Sequence, residues 1–84
     1  AAALAWVELL HPEDRERTLR LWQESLVTGE PYRNELRVRD RYGEHRWFVG
    51  QALACRDEAS GRISRWFGAL TDIHDAKLAQ QERE

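Results

Sequence analysis

Two segments in the second half of the chain carry apolar side chains on both of their faces, and this pattern most restricts the possible folds. The first segment runs from His45 to Arg56 and the second from Ile63 to Thr71. Both have the length and the aromatic content of β-strands. A sheet covered by helices on one side only should be polar on its other side. We therefore expect a partner chain, a flanking helix or both to cover the second side.

A third strand is predicted over Tyr32–Arg39, where side chains on one face are charged and those on the other are largely apolar. Turns that contain Gly43 and Gly61 separate the three strands, and connections this short join neighbours in an antiparallel sheet. Trp47 and Trp66 would then be directly opposite or diagonal neighbours. The simpler interpretation of this pair is packing in a core or an interface. The more specific one is a pocket wall on which an aromatic ligand stacks.

Helices are predicted on both sides of the strands in the sequence. The longer one spans about Pro12–Thr28, because Pro12 suits a first helical position and apolar residues recur at spacings of three and four. Gly29 is a suitable stop. After Asp72 the chain becomes helical and polar again, so residues 74–84 should begin an exposed C-terminal helix.

Composition excludes several classes of function. The chain has 84 residues, a net charge of −2 and no basic run, so it predicts one domain and no nucleic-acid partner. No apolar stretch approaches the roughly 20 residues that span a bilayer, so this segment is not expected to contact a membrane. Cys55 is the only cysteine, which fits a reducing cytoplasm. No set of catalytic side chains can be assembled, and the three histidines lack metal-ligand spacing.

An ordered series of short motifs resembles the PAS domain, in the variant with Arg-Trp-Phe that is common in bacterial signalling proteins. The resemblance covers about Trp6 to Leu78. Its motifs are His11-Pro12-Glu13-Asp14-Arg15, Trp22, Thr28-Gly29-Glu30-Pro31-Tyr32, Glu35-Leu36-Arg37-Val38-Arg39, Arg46-Trp47-Phe48, Trp66-Phe67-Gly68 and Thr71-Asp72-Ile73.

The resemblance implies an α+β fold with helices packed on one face of an antiparallel sheet. The family's sheet has five strands, of which the first two precede the helices, and only the last three are found here. Residues 1–73 are therefore interpreted as a PAS-like sensory domain that lacks its N-terminal hairpin, and residues 74–84 as the start of a signalling helix. The last strand would keep an open edge, which a dimer could cover.

The function that this resemblance implies is sensing and homodimerisation, without catalysis, in a multidomain bacterial histidine kinase or diguanylate cyclase. The C-terminal helix would relay the state of the module to an output domain in the parent chain. The alternative is a dimerisation scaffold without any ligand. Candidate residues fall in three groups: Trp22, Leu36, Phe48 and Phe67 for a small-molecule pocket; Trp47, Val49, Trp66 and Leu70 for a dimer interface; Asp72 and Ile73 for the relay.

No cofactor is predicted. Haem-binding relatives use a helix histidine within the ligand cavity, and no histidine here matches that position. Relatives that form a flavin adduct carry a cysteine on a helix within an Asn-Cys-Arg-Phe-Leu-Gln type of motif. Cys55 lies late on a predicted strand and outside such a motif, so it is interpreted as a small structural residue.

Overall fold

The computed structural model describes residues 2–83, and the side chains of residues 6–83. A 3-10 helix, Ala2–Leu9, precedes the long helix α1, Pro12–Thr28. The remaining elements are β1 (Tyr32–Arg39), β2 (His45–Arg56), β3 (Ile63–Asp72) and the helix α2 (His74–Glu82). The strands form one antiparallel sheet in the order β1-β2-β3. The predicted α+β fold is therefore confirmed, with β3 one residue longer than expected.

The strand register divides the side chains between two faces, because directly opposite residues in antiparallel strands share a face. The inner face lies under α1 and the 3-10 helix. It carries Tyr32, Asn34, Leu36, Val38, Phe48, Gly50, Ala52, Ala54, Trp66, Gly68 and Leu70. The outer face carries Arg33, Glu35, Arg37, Trp47, Val49, Gln51, Leu53, Cys55, Arg65, Phe67, Ala69 and Thr71.

A β-bulge near the start of β3 sets the relative phase of β2 and β3. Arg56 pairs with Ile63 but Cys55 pairs with Arg65, so Ser64 is an extra residue on β3. The Ser64 hydroxyl donates a hydrogen bond to the Cys55 carbonyl at 3.0 Å. Because of this shift, Trp66 pairs with Ala54 on the inner face, whereas Trp47 lies on the outer face. Trp47 also lies seven positions from Ala54 along β2, so the expected Trp47–Trp66 pair is wrong.

The ends of α1 follow the sequence signals closely. At its start, His11 Nδ1 accepts a hydrogen bond from the Glu13 amide at 3.1 Å, which satisfies one of the free amides of the first turn. At its end, Gly29 has φ 77° and its amide donates to the Ser25 carbonyl at 2.8 Å. That left-handed conformation is favourable for glycine and strained for other residues, so Gly29 ends the helix as predicted.

The start of α1 closes the free edge of β1. Asp14 Oδ2 accepts a hydrogen bond from the Arg37 amide at 2.8 Å, and the Arg37 carbonyl accepts one from the His11 amide at 2.9 Å. About one turn after Asp14, Arg17 Nη2 donates to the Glu35 carbonyl at 2.8 Å. Backbone groups that an edge strand would expose are thus satisfied by α1.

The fully buried core is small and partly polar. Its buried apolar residues are Leu10, Leu36, Val49 and Ala52, and its buried polar residues are Asp14, Thr18, Ser25 and Asn34. α2 packs against the outer face only near Trp47 and Glu35. Towards β3 the apolar side chains stay open on both faces, with Leu53 60%, Phe67 55% and Leu70 55% exposed. Within the described residues, no helix combines the length and apolar character needed to cross a membrane.

Candidate ligand groove and exit-helix anchor

An apolar groove lies on the inner face, between the sheet and the N-terminal helices. Its volume is about 420 Å³, which is within the range of small-molecule sites. We call it the inner groove. It is lined by Trp6, Leu9, Leu10, Trp22, Tyr32, Leu36, Val38, Gly50 and Leu70. Such a lining can bind an apolar molecule by removing its surface from water.

Gly50 and Trp22 shape this groove from opposite sides. An added Cβ at Gly50 would contact Tyr32, Leu36 and Leu70 at 3.5–3.6 Å, so the glycine leaves space on the floor among these three side chains. Above it, the Trp22 ring meets the Tyr32 ring edge-on, with centroids 5.4 Å apart, and the Trp66 ring at 5.2 Å. Edge-to-face contacts of this kind hold aromatic rings in defined orientations.

A buried polar cluster fixes Tyr32 at the groove. Asn34 Nδ2 donates hydrogen bonds to the Thr18 hydroxyl at 2.8 Å and to the Tyr32 hydroxyl at 3.3 Å. Burial raises the pKa of Tyr32 above its ordinary value, although Asn34 and the charge of Arg17 act in the opposite direction. The phenol therefore remains neutral at physiological pH.

The structure brings only part of the predicted pocket together. Trp22 and Leu36 line the inner groove. Phe48 is half-buried on the inner face but is not among the lining residues. Phe67 pairs with Leu53 and lies on the outer face, away from the other three. The sequence-based prediction did not place Gly50 or residues of the 3-10 helix at the groove, although the apolar run before His11 indicated an element that could line it.

Phe67 instead lines a shallow cleft on the outer face, of about 450 Å³, together with Arg33, Gln51 and Leu53. We call it the outer cleft. The Arg65 guanidinium lies 4.8 Å from the centroid of the Phe67 ring, a cation–π contact. Cys55, half-buried, is the neighbour of Arg65 on β2.

The four predicted interface residues do not share one surface. Trp47 and Val49 are on the outer face, and Val49 is buried. Trp66 and Leu70 are on the inner face, where Leu70 remains largely exposed. A single flat interface that uses all four is therefore not formed by this sheet.

Asp72 and Ile73, the predicted relay residues, connect β3 to α2 and to β2. Asp72 Oδ1 accepts a hydrogen bond from the His74 amide at 2.9 Å, and Asp72 Oδ2 accepts one from Arg46 Nε at 2.8 Å. The Arg46 contact holds the pKa of Asp72 below its ordinary value. The Ile73 amide donates to the Trp47 carbonyl at 2.9 Å. Asp72 thus both caps the exit turn and fixes it to β2.

Two further contacts, which the sequence did not indicate, hold α2 on the outer face. His74 Nδ1 accepts a hydrogen bond from the Trp47 amide at 3.1 Å. One turn later, Lys77 Nζ donates to Glu35 Oε1 at 2.6 Å, and this contact lowers the pKa of Glu35. Lys77 Nζ also lies 4.8 Å from the centroid of the Trp47 ring, and the Arg37 guanidinium lies 4.9 Å from it. We call these contacts of α2 with β1 and β2 the exit anchor.

Known proteins are similar to this chain over most of its length. The family described as PAS fold matches residues 3–70. Peroxide stress-activated histidine kinase mak1 of Schizosaccharomyces pombe is 36% identical over 73 residues, which are 87% of this chain and 4% of the kinase. A blue-light-activated histidine kinase of Brucella anthropi is 29% identical over 77 residues, which are 92% of this chain and 15% of the kinase.

A solved structure is also similar to this chain. The crystal structure of a sensory box histidine kinase/response regulator from Burkholderia thailandensis superposes with a TM-score of 0.76 and 33% identity. The match covers 89% of this chain and 56% of that one. The chain thus corresponds to a small part of the two kinases and to about half of the solved chain. A family match over most of the sequence and a shared fold show that this chain belongs to the PAS fold family.

Proposed function

We propose that this PAS domain is a sensory module that binds a small apolar molecule in the inner groove and signals through α2. The module carries no catalysis, needs neither haem nor flavin, and acts as a homodimer in the cytoplasm. The output domain is part of the same polypeptide, a histidine kinase or diguanylate cyclase. Two of the similar proteins are named as histidine kinases, which supports an output domain of this class.

One observation carries the proposal: along β1, residues that line the inner groove alternate with residues that take part in the exit anchor. Leu36 lines the inner groove, and its neighbour Glu35 holds Lys77 of α2. Val38 lines the groove as well, and its neighbour Arg37 lies over Trp47. A displacement of β1 by a bound molecule would therefore be felt on the opposite face, where α2 is attached.

Binding can shift α2 only if the molecule has different affinities for two arrangements of the anchor. The exit anchor is suited to two arrangements because its ion pairs are partly exposed. The Lys77 and Glu35 side chains are 23% and 35% exposed. Such pairs contribute little net stability each, so a modest binding energy suffices to shift them.

The test uses the fluorescent probe 1-anilinonaphthalene-8-sulfonate as a stand-in for the unknown molecule. Gly50→Leu would fill the floor of the inner groove, and Gln51→Leu is the matched control on the outer face. We expect probe binding to weaken about tenfold or more in Gly50→Leu and to persist in Gln51→Leu. Amide hydrogen exchange in α2 should change on probe addition in the wild type but not in Gly50→Leu.

An unchanged exchange rate in α2 while the probe fills the groove would contradict the relay. That outcome favours the second candidate, a dimerisation scaffold without a ligand. The scaffold has its own support in the exposed Leu53, Phe67 and Leu70 side chains around β3.

A further inference from the structure

At its last position, the ladder between β2 and β3 is completed by the imidazole of His74 in place of a backbone carbonyl. The Trp47 carbonyl accepts a hydrogen bond from the Ile73 amide, as in a regular antiparallel ladder. The Trp47 amide would then donate to the Ile73 carbonyl, but this carbonyl accepts the Lys77 amide at 2.8 Å, the first bond of α2. The Trp47 amide donates to His74 Nδ1 instead, at 3.1 Å. The chain therefore leaves the sheet for a helix without losing this bond.

The bond between Trp47 and His74 exists only while Nδ1 carries no proton. Because Nδ1 is the acceptor, the neutral ring holds its proton on Nε2. The protonated ring has a proton on both nitrogens and accepts no hydrogen bond. Its Nδ1–H would face the Trp47 N–H, donor against donor, on a half-buried side chain. Docking of α2 and protonation of His74 therefore exclude each other in this geometry.

The charges around His74 do not compensate for a protonated ring. His74 is the first residue of α2, where the helix dipole disfavours a positive charge. Asp72 and Asp75 are close in sequence, but the Arg46 guanidinium lies 2.8 Å from one carboxylate and 3.9 Å from the other. Acidic and basic side chains are equal in number on the adjoining parts of the packed elements. These groups are Asp75 and Lys77 on α2, Asp72 on β3, His45 and Arg46 on β2, Glu35, Arg37 and Arg39 on β1, and Asp40 in the following turn.

We propose that protonation of His74 releases α2 from the sheet, so that the exit helix responds to acidification as a second input besides the inner groove. The inference rests on α2 being the output of the proposed function. An imidazole in water titrates near pH 6.5, so the released state gains a proton below about that pH whereas the docked state does not. By mass action, the ratio of released to docked α2 should rise about tenfold from about pH 7.5 to about pH 5.5.

The carboxylates that also hold α2 do not account for a change in this interval. The Arg46 contact keeps the pKa of Asp72 below its ordinary value, and the Lys77 contact does the same for the pKa of Glu35. Both groups therefore stay ionised down to about pH 5. A response between about pH 7.5 and about pH 5.5 is thus assigned to a histidine.

The test is amide hydrogen exchange of the 84-residue chain at these two pH values, followed by NMR. A helix as short as α2 is not stable alone in water, so its release exposes the Lys77 amide, which bonds to the Ile73 carbonyl. Each rate is divided by that of an unprotected amide at the same pH. We expect this relative rate to rise about tenfold for Lys77 at the lower pH. It should stay constant for Leu36, which pairs with Phe48 within the sheet.

Two matched variants identify the histidine responsible. His74→Asn places an amide oxygen near the position of Nδ1, and this acceptor does not titrate. We expect its Lys77 relative rate to be equal at both pH values. His45→Asn is the control, because the His45 ring lies against His11, with centroids 4.9 Å apart, and it should keep the full response. A response that survives in His74→Asn, or that is lost in His45→Asn, overturns the inference.

A measurement on the unaltered chain serves if His74→Asn fails to dock α2. The nitrogen NMR signals of the His74 ring should show a proton on Nε2 alone at the higher pH. The Trp47 amide signal should shift along the same titration curve as the ring. A ring that becomes protonated while the Trp47 amide signal and the Lys77 relative rate stay unchanged overturns the inference.

The outcomes separate this inference from the proposed function. If the probe in the inner groove changes exchange in α2 but acidification does not, the role of His74 is overturned and the relay from the groove stands. If acidification releases α2 but the probe has no effect on it, the relay from the groove is overturned and the role of His74 stands.

Discussion

The buried carboxylate of Asp14 accepts three hydrogen bonds from Arg37. Only 1% of its surface is exposed, yet it accepts hydrogen bonds from the Arg37 amide and from two guanidinium nitrogens of Arg37. Burial raises the pKa of Asp14, but the hydrogen bonds and charge of Arg37 lower it more, so the net pKa is below its ordinary value. The carboxylate is thus ionised while buried, and it joins α1 to the edge of β1.

Asp14→Ala should therefore destabilise the fold strongly. Removing the carboxylate leaves the Arg37 amide and guanidinium without their buried partner, and we expect the free energy of unfolding to fall by about 3 kcal/mol. Urea denaturation followed by tryptophan fluorescence measures it. Glu13→Ala is the control, because Glu13 also pairs with Arg37 but its side chain is 75% exposed. A comparable loss in both variants would contradict the role given to Asp14.

The sequence indicated the position of Asp14 but not its contacts. An acidic residue in a first helical turn is sufficiently explained by the helix dipole. The hydrogen bond that Asp14 accepts from a strand amide, in contrast, depends on α1 lying along β1. That contact involves Arg37, 23 positions away, and no local pattern records it. The same holds for Glu35, whose partner Lys77 lies 42 positions further along the chain.

At the scale of elements, local signals were sufficient to predict where helices and strands lie. The bounds predicted for α1, β1 and β2 agree with the structure, because proline, glycine and period-two alternation act within a few residues. The phase between strands was not predictable in this way. Ser64 adds one residue to β3, and one residue exchanges the faces of every side chain that follows it. Trp66 therefore lies on the inner face, where its ring contacts Trp22, and Phe67 lines the outer cleft.

α2 depends on few contacts, so a single substitution should loosen it. Lys77→Met keeps a long side chain but removes the charge that pairs with Glu35 and lies over Trp47. We expect the Lys77 amide, which bonds to the Ile73 carbonyl, to exchange roughly threefold faster or more. Hydrogen exchange followed by NMR measures this. Gln80→Met, at an exposed position of the same helix, should leave the rate unchanged, and an equal effect of both variants would contradict the anchor.

At the scale of the whole molecule, three carboxylates on different elements have basic partners that keep their pKa values low. Asp14, Glu35 and Asp72 pair with Arg37, Lys77 and Arg46, respectively. A carboxylate whose pKa is lower in the folded state stabilises the fold above the unfolded pKa. It loses this contribution as the pH falls through the folded pKa. The unfolded chain binds more protons in that range.

The stability of the chain should consequently decrease from about pH 5 downward, near and below the ordinary pKa values of Asp and Glu. Thermal unfolding followed by circular dichroism, at fixed protein concentration, measures this dependence. Asp14→Asn should have a lower melting temperature at neutral pH and a shallower decline on acidification, because one of the three groups no longer titrates. A melting temperature that stays constant from neutral pH to about pH 3 would refute the assignment.

The groove and the anchor lie on opposite sides of one thin sheet, and this arrangement could be recognised only in three dimensions. The sequence predicted Trp22 and Leu36 at the pocket because both lie on regular apolar faces. It could not predict how the segment before His11 folds back to complete the lining. That docking depends on the bridge between Leu10 and Val38, a contact between distant parts of the chain.

The occupied margin of β1 limits how this protein can associate with other chains. The Glu35 carbonyl accepts a hydrogen bond from Arg17, and the Arg37 amide donates one to Asp14. A strand from another molecule could be added beside β1 only after these bonds break, so this margin should resist the edge-to-edge pairing from which fibres grow.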